Sequence, residues 1–329
     1  MNVTILGAGS WGSALSLVLS DNNLSNIQLY NYDNYYSTNN SYKYLDNINI
    51  PKNVKIINSL DKICNTDFIF IALPTEHINE TLSLLSYEII SNKNTIWVNC
   101  SKGFDLKNKN IFSKTLTKEL NIKKDNFVVL SGPSHAEEVS QKIPTAVVAS
   151  SLSKTNSSLV QNLLSNNYFR VYTNTDVVGV EIGGACKNII SIAAGICIGL
   201  GYGDNTISAL ISRGLQEIIR LGVTLKANTN TFYGLSGLGD LSVTAFGKYS
   251  RNRQFGIKLG EGVSFKQANI DINMVIEGVN ATKIVTEISK KYKINMPIVD
   301  QVYSILFNNK NPKLAINELM DRKLKDEMI

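Results

Sequence analysis

The sequence predicts an α/β unit built on a mainly parallel sheet, followed by an all-helical unit. Three observations carry that prediction. Short apolar runs alternate with helix-compatible stretches over roughly the first 175 residues; a glycine-rich turn follows the first run; and from Val177 onward strand signals become scarce while helical periodicity takes over.

The expected strands are Asn2 to Leu6, Asn26 to Tyr30, Val54 to Ile57, Asp67 to Ala72, Thr95 to Asn99, Phe127 to Ser131, Thr145 to Ser150 and Phe169 to Tyr172. They are apolar almost throughout rather than alternating, as strands buried on both faces of a parallel sheet require. Gly12 to Leu19 is the first expected helix. Ile189 to Leu200, Asn205 to Lys226, Arg251 to Gly260, Gly278 to Tyr292 and Pro297 to Phe307 follow in the second half. The change of pattern near Asn174 to Asp176 divides the chain into units 1–175 and 176–329. No repeat or long low-complexity linker separates them, so a shared cleft is expected, and clefts of that kind hold ligands.

Composition narrows the function. The 329 residues carry a formal charge of +6, from 33 basic and 27 acidic residues, with the lysines spread along the chain. Nucleic acid is therefore not an expected partner. Cys64, Cys100, Cys186 and Cys197 show no CxxC spacing, which points to reduced thiols in a cytoplasmic protein. With only His77 and His135 available, no metal site is expected. The N-terminus runs straight into a strand-like segment without a secretory pattern. The longest apolar stretch, Ile189 to Leu200, is 12 residues, too short for membrane insertion.

Gly7-Ala8-Gly9-Ser10-Trp11-Gly12 fits GxGxxG between a strand and a helix. The first glycine permits the tight turn, the second admits a pyrophosphate to the backbone, and the third lets helix and strand pack. Asp33, just past the second strand, is placed to reach an adenosine ribose or to begin a loop. No arginine occurs before Arg170, so a partner for a 2′-phosphate is missing there and NAD against NADP stays open. Ser101-Lys102-Gly103 and Gly132-Pro133-Ser134-His135-Ala136 each follow a strand at the carboxyl edge, where open α/β sheets bind ligands. His135 reads as a loop residue with nothing nearby to orient it.

Glu181-Ile182-Gly183-Gly184-Ala185-Cys186-Lys187-Asn188 leads into the apolar helix. Burial at that point lowers an ammonium pKa toward the range useful for proton transfer. Lys187 therefore either pairs with Glu181 or Asp240 or acts as general acid/base. Asp240 precedes Ser250-Arg251-Asn252-Arg253 by ten residues, and two of only six arginines fall in that tetrapeptide. Guanidinium forks with serine and asparagine beside them make an oxyanion grip. Arg251 and Asn252 carry that reading, and Arg253 reads as a solvated basic residue.

In this order, GAGSWGSA, SKG, SGPSHAEEV, GGACKNIISIAAGI, GLGDL with SRNR, and Val275-Ile276-Glu277-Gly278 make the chain resemble the bacterial NAD(P)-dependent glycerol-3-phosphate dehydrogenases over nearly its whole length. The resemblance implies a Rossmann-type domain followed by a helical domain of the 6-phosphogluconate dehydrogenase C-terminal type. It implies that Lys187 is the proton donor or acceptor, and that Lys102, Gly132, Ser134, Lys187, Asp240, Ser250, Arg251 and Asn252 bind glycerol 3-phosphate or dihydroxyacetone phosphate. Cofactor contacts are implied from Ser10, Trp11, Lys102, Ala136, Arg251, Val275 and Glu277, beside Gly7, Gly9 and Gly12 of the glycine turn. The family often has an arginine near Tyr32, and a cysteine and a serine where Ala245 and Gly247 stand. A cytoplasmic homodimer is the expected assembly. The competing readings are a two-domain reductase of the same architecture acting on a carboxylate substrate, and a non-catalytic dinucleotide sensor.

Overall fold

A computed structural model describes residues 1–32, 40–63, 65–324 and 326–327 of the chain. Asp33 and Cys64 lie outside the described residues. Eight strands form one sheet: β1 (Asn2–Leu6), β2 (Asn26–Tyr30), β3 (Val54–Ile57), β4 (Phe68–Ile71), β5 (Ile96–Asn99), β6 (Phe127–Ser131), β7 (Thr145–Ser150) and β8 (Phe169–Asn174). Their spatial order is β3-β2-β1-β4-β5-β6-β7-β8, and every neighbouring pair is parallel except β6 with β7. All eight expected strands are present, with small differences at their ends. Every residue of β4, β5 and β6 is buried, which is why those runs are apolar without alternation.

Helices α1 (Ser10–Asp21), α2 (Thr75–Ser83), α3 (Tyr87–Ser91), α4 (Phe112–Glu119), α5 (Ala136–Ser140) and α6 (Lys154–Leu164) cover the sheet. Ala14, Leu15 and Val18 of α1 with Val160 and Leu163 of α6 close one apolar core, and Ile78 and Leu82 of α2 with Phe112 and Leu116 of α4 close the other. Because β1 pairs with β2 on one side and β4 on the other, the strand order reverses there. That reversal opens a crevice at the carboxyl ends of the strands.

The second half is helical: α7 (Val177–Gly199), α8 (Asp204–Thr224), α9 (Asp240–Phe246), α10 (Arg251–Gly260), α11 (Phe265–Ile272), α12 (Glu277–Tyr292), α13 (Pro297–Phe307) and α14 (Pro312–Met320). The apolar helix expected at Ile189 starts twelve residues earlier, at Val177. Asp176 is the reason: its carboxylate caps the helix by accepting the Gly179 N–H at 2.9 Å, and also accepts the Asn228 N–H at 2.8 Å and the Thr231 hydroxyl at 2.7 Å. At 23 residues α7 is long and apolar enough to cross a bilayer, which corrects the estimate from its 12-residue apolar stretch. However, 89% of its most apolar window is buried inside the protein, as the central helix of the third core.

Glycines set how closely α10 lies on α7. A Cβ at Gly195 would fall 2.9 Å from Gly256 Cα, and one at Gly260 would fall 2.9 Å from Gly199 Cα. This approach seats α10 on the last turns of α7, while Asn252 in its first turn donates to Asn188, the neighbour of Lys187, at 3.0 Å. A single π turn, Leu235–Gly239, closed by Gly239 N–H donating to Gly234 O at 3.1 Å, delivers the chain to Asp240 at the start of α9.

Candidate active site

The glycine turn occupies the crevice. Gly7 has φ of 112°, and a Cβ there would stand 2.6 Å from Ala72 O. Only glycine suits that position. Among the described residues nothing lies within 4 Å of a Cβ at Gly9, and it begins α1 without a side-chain cap. The first amides of α1, including those of Ser10 and Trp11, are thus left for an anion. The Trp11 ring lies tilted against Phe169, with centroids 6.4 Å apart, and its buried Nε1–H has no hydrogen-bond partner among the described residues.

Across the crevice, two lysines share one carboxylate. Lys187, in the middle of α7 rather than at its start, donates from Nζ to Asp240 Oδ1 and to Thr244 Oγ1 at 2.8 Å. Lys102, past β5, places Nζ 2.8 Å from Asp240 Oδ2 and donates to Gly132 O at 2.7 Å and Ser134 Oγ at 3.2 Å. Asp240 is 0% exposed and Lys187 7%. The Thr244 hydroxyl donates to Asp240 O at 2.6 Å, which fixes its lone pairs toward Lys187. Of the two partners open to Lys187 in the sequence, the structure selects Asp240. Glu181 is committed elsewhere: its carboxylate accepts the Ser113 N–H at 3.0 Å and 3.3 Å, at the start of α4, and burial raises its pKa to about 7.

The charges explain what this cluster can do. Two ammonium groups and one carboxylate leave an excess positive charge out of water. Burial first, then the nearby Lys102 charge, push the Lys187 pKa down to about 7, against the opposing pull of Asp240. Burial alone would raise the Asp240 pKa, but the two ammonium groups outweigh it and hold the carboxyl below its usual range. Asp240 therefore stays ionised while Lys187 can gain or lose a proton near neutral pH.

The start of α10 closes the same space. Ser250 is its N-cap, accepting the Arg253 N–H at 3.2 Å and sharing a 3.0 Å hydrogen bond with Ser191 Oγ. Asn252 accepts the Gly278 N–H at 2.9 Å and donates to Asn188 Oδ1 at 3.0 Å, and Asn188 donates on to Lys102 O at 3.3 Å. Most of the Asn252 side chain is thus spent on holding α7, α10 and α12 together. Arg251 is exposed at the first position of the helix. Arg253 is not the solvated residue expected: it is half-buried, and its Nε has no partner among the described residues.

Val275 is half-buried just before α12. Glu277, at the first position of α12, accepts the Thr75 N–H at 3.0 Å and the Thr75 hydroxyl, so it caps α2 across the crevice. Ala136 is buried at the first position of α5. His135, expected to lack any orienting neighbour, does have one: Nε2 lies 3.3 Å from Val243 O, and the ring meets Tyr249 edge-on at 5.8 Å. The structure thus brings Lys102, Gly132, Ser134, Lys187, Asp240, Ser250 and Asn252 into one connected network. The sequence reading missed Thr244, Asn188 and Thr75. Thr244 follows Asp240 by one helical turn and Asn188 adjoins Lys187, so both carried a signal. Thr75 carried none, since its partner is 202 residues away.

Comparison with known proteins agrees with this architecture. Residues 2–157 match the family model of the NAD-dependent glycerol-3-phosphate dehydrogenase N-terminus, and residues 176–317 match that of its C-terminus. A glycerol-3-phosphate dehydrogenase [NAD(P)+] of Clostridium botulinum (strain Eklund 17B / Type B) is 43% identical over 332 residues, covering 99% of each chain. Its counterpart from Thermoanaerobacter sp. (strain X514) is 44% identical over 335 residues, covering 100% of this chain and 99% of its own. The crystal structure of glycerol-3-phosphate dehydrogenase from Coxiella burnetii is 36% identical, with a TM-score of 0.90 over 98% of this chain and 99% of that one. The chain therefore belongs to the NAD(P)-dependent glycerol-3-phosphate dehydrogenase family.

Proposed function

We propose that this chain reversibly reduces dihydroxyacetone phosphate to sn-glycerol 3-phosphate with NADH or NADPH, supplying glycerophospholipid synthesis, with Lys187 as general acid/base. The Lys102–Asp240–Lys187 cluster beside the open first turn of α10 carries this reading. The Gly7–Gly12 turn fits a dinucleotide, because the open face of Gly9 and the uncapped start of α1 leave room and amides for a pyrophosphate. When bound, the reduced nicotinamide supplies the hydride. On this reading Ser10, Trp11, Ala136 and Val275 contact the bound dinucleotide, with residues 1–175 as the dinucleotide-binding unit and 176–329 as the substrate unit.

Lys187 gives a proton from Nζ to the oxygen that becomes the secondary alcohol, and its charge stabilises that oxygen while negative charge builds up. Asp240 and Thr244 hold Nζ in place. Lys102, steadied by Gly132 O and Ser134 Oγ, adds a second positive charge on the same side. Ser250 caps only the Arg253 amide, so the Arg251 and Asn252 amides stay available to the phosphate together with the Arg251 guanidinium. Glu277 ties α12 to α2 and brings both units against the cofactor crevice.

A Lys187→Met protein is expected to fold and bind cofactor but to lose about 10²- to 10⁴-fold in turnover, the usual contribution of general acid/base catalysis. Turnover at the parent rate would sink the assignment. Assaying dihydroxyacetone phosphate beside 2-oxo and 3-hydroxy acids separates this reading from a carboxylate reductase, and cofactor binding without any turnover would point to a sensor. We further propose a cytoplasmic homodimer. The buried free thiols Cys100, Cys186 and Cys197 suit a reducing compartment, and exposed Tyr233, Leu238 and Phe246 supply apolar surface for a second copy; sedimentation reads the assembly directly.

A further inference from the structure

We propose that His135 is a positioning residue that clamps α9 to the Gly132–Ala136 loop, and that Gly247 provides the space the clamp needs. The proposal rests on the functional reading above. Val243 O is a carbonyl, so the 3.3 Å contact makes Nε2–H of His135 the donor. Val243 O also accepts the Gly247 N–H at 2.8 Å, so the clamp closes on the carboxyl-terminal turn of α9. The next residue, Thr244, receives a hydrogen bond from Lys187, and the first residue of the same helix is Asp240. On the other side, His135 sits directly between Ser134, which touches Lys102, and Ala136.

One imidazole therefore sets the spacing between the loop that holds Lys102 and the helix that holds Lys187. Tyr249 supports it edge-on at 5.8 Å. The charged groups facing the ring are Lys187 from α7, Lys102 from the loop after β5 and Glu137 from α5; burial first and then Lys187 lower its pKa.

Gly247 makes this arrangement possible. A Cβ there would fall 2.6 Å from His135 Nε2 and would also collide with Val243 O. The backbone φ of Gly247 is −67°, so conformational freedom is not what glycine supplies; space is. Any side chain at this position would press its Cβ against the imidazole.

The test compares His135→Leu, which removes the donor, with His135→Gln, which places an N–H at about the same reach. In each variant, kcat and KM for dihydroxyacetone phosphate, the NADH dissociation constant and the pH profile of kcat are measured. His135→Leu is expected to lower kcat by about tenfold to a hundredfold, the scale of a small misplacement of catalytic groups, with NADH binding unchanged. The apparent pKa of its kcat profile should move, and His135→Gln should recover most of the loss. Parent-like kcat in His135→Leu overturns the clamp, as does a loss in His135→Gln as large as in His135→Leu, since that marks ring packing alone. Should His135→Leu not fold, Gly247→Ala is read the same way: it should lower kcat without weakening NADH binding, and an unchanged kcat overturns the proposal. A parent protein that turns over no dihydroxyacetone phosphate would remove the functional reading instead, so the two failures are distinguishable.

Discussion

Lys187 is poised between burial, which lowers its pKa, and Asp240, which raises it, and this makes its behaviour sensitive to its neighbours. On the proposed role of Lys187, reduction needs the protonated amine, so its kcat should fall as pH rises through about 7, and oxidation of glycerol 3-phosphate should show the opposite limb. Matched pH profiles in the two directions check this. Asp240→Asn removes the carboxylate that raises the Lys187 pKa, so the reductive limb should move to lower pH and the rate at neutral pH should drop. The same change leaves buried Lys187 and half-buried Lys102 without their shared counterion, a loss of up to about 3–5 kcal/mol, greatest at low pH where Lys187 is protonated, that urea unfolding would detect. An unshifted limb in a folded Asp240→Asn protein would count against the linkage. The sequence exposed Lys187 and Asp240 because each sits in a run of glycines and small residues unusual for a charged group. It could not choose between Glu181 and Asp240, because that choice depends on which face of a 23-residue helix looks at α9 and which looks at α4.

At the level of elements, the strands were legible to within a few residues because continuous apolar runs bounded by polar turns have few other solutions. The start of α7 was not, because Gly179, Gly183 and Gly184 weaken helical propensity and the cap that compensates, Asp176, is shared with residues some fifty positions on. Those small residues are there for contact. A Cβ at Gly184 would lie 2.7 Å from Ser131 Oγ, and one at Gly183 would strike the π turn at Ser236 O. The α7–α10 crossing shows the same logic more strongly, since the glycines of both helices meet. Gly256→Ala would set a methyl within 2.9 Å of Ile196 N and against Ile192 O, and neither is a flexible side-chain tip. The helices must separate, at about 1–3 kcal/mol for overpacking of this kind, measured as a lower urea midpoint with unchanged m-value. Because α10 carries Ser250, Arg251 and Asn252, KM for dihydroxyacetone phosphate should rise in the same variant. A destabilised protein with parent KM would show that the crossing holds the fold but does not set the site.

Across the whole molecule, neither unit holds a complete site. Lys102, Gly132 and Ser134 come from the sheet edge; Lys187, Asp240 and Asn252 come from the helices; and Glu277 with Thr75 joins them over a sequence separation of 202. On the proposed function, such an arrangement would use binding energy from the non-reacting phosphate to align the reacting carbonyl, so the phosphate should matter for turnover as well as for affinity. Arg251→Ala should raise KM for dihydroxyacetone phosphate by about 10- to 100-fold, since hydrogen bonds to charged groups contribute about 1.5–3 kcal/mol. Dihydroxyacetone, which lacks the phosphate, should be reduced with both a lower kcat and a higher KM by the parent enzyme. Arg251→Ala should then have little further effect on it, because the group Arg251 grips is already gone. Equal losses on both substrates would place Arg251 at the cofactor or in the fold rather than at the phosphate, and would leave the exposed start of α10 without its proposed ligand.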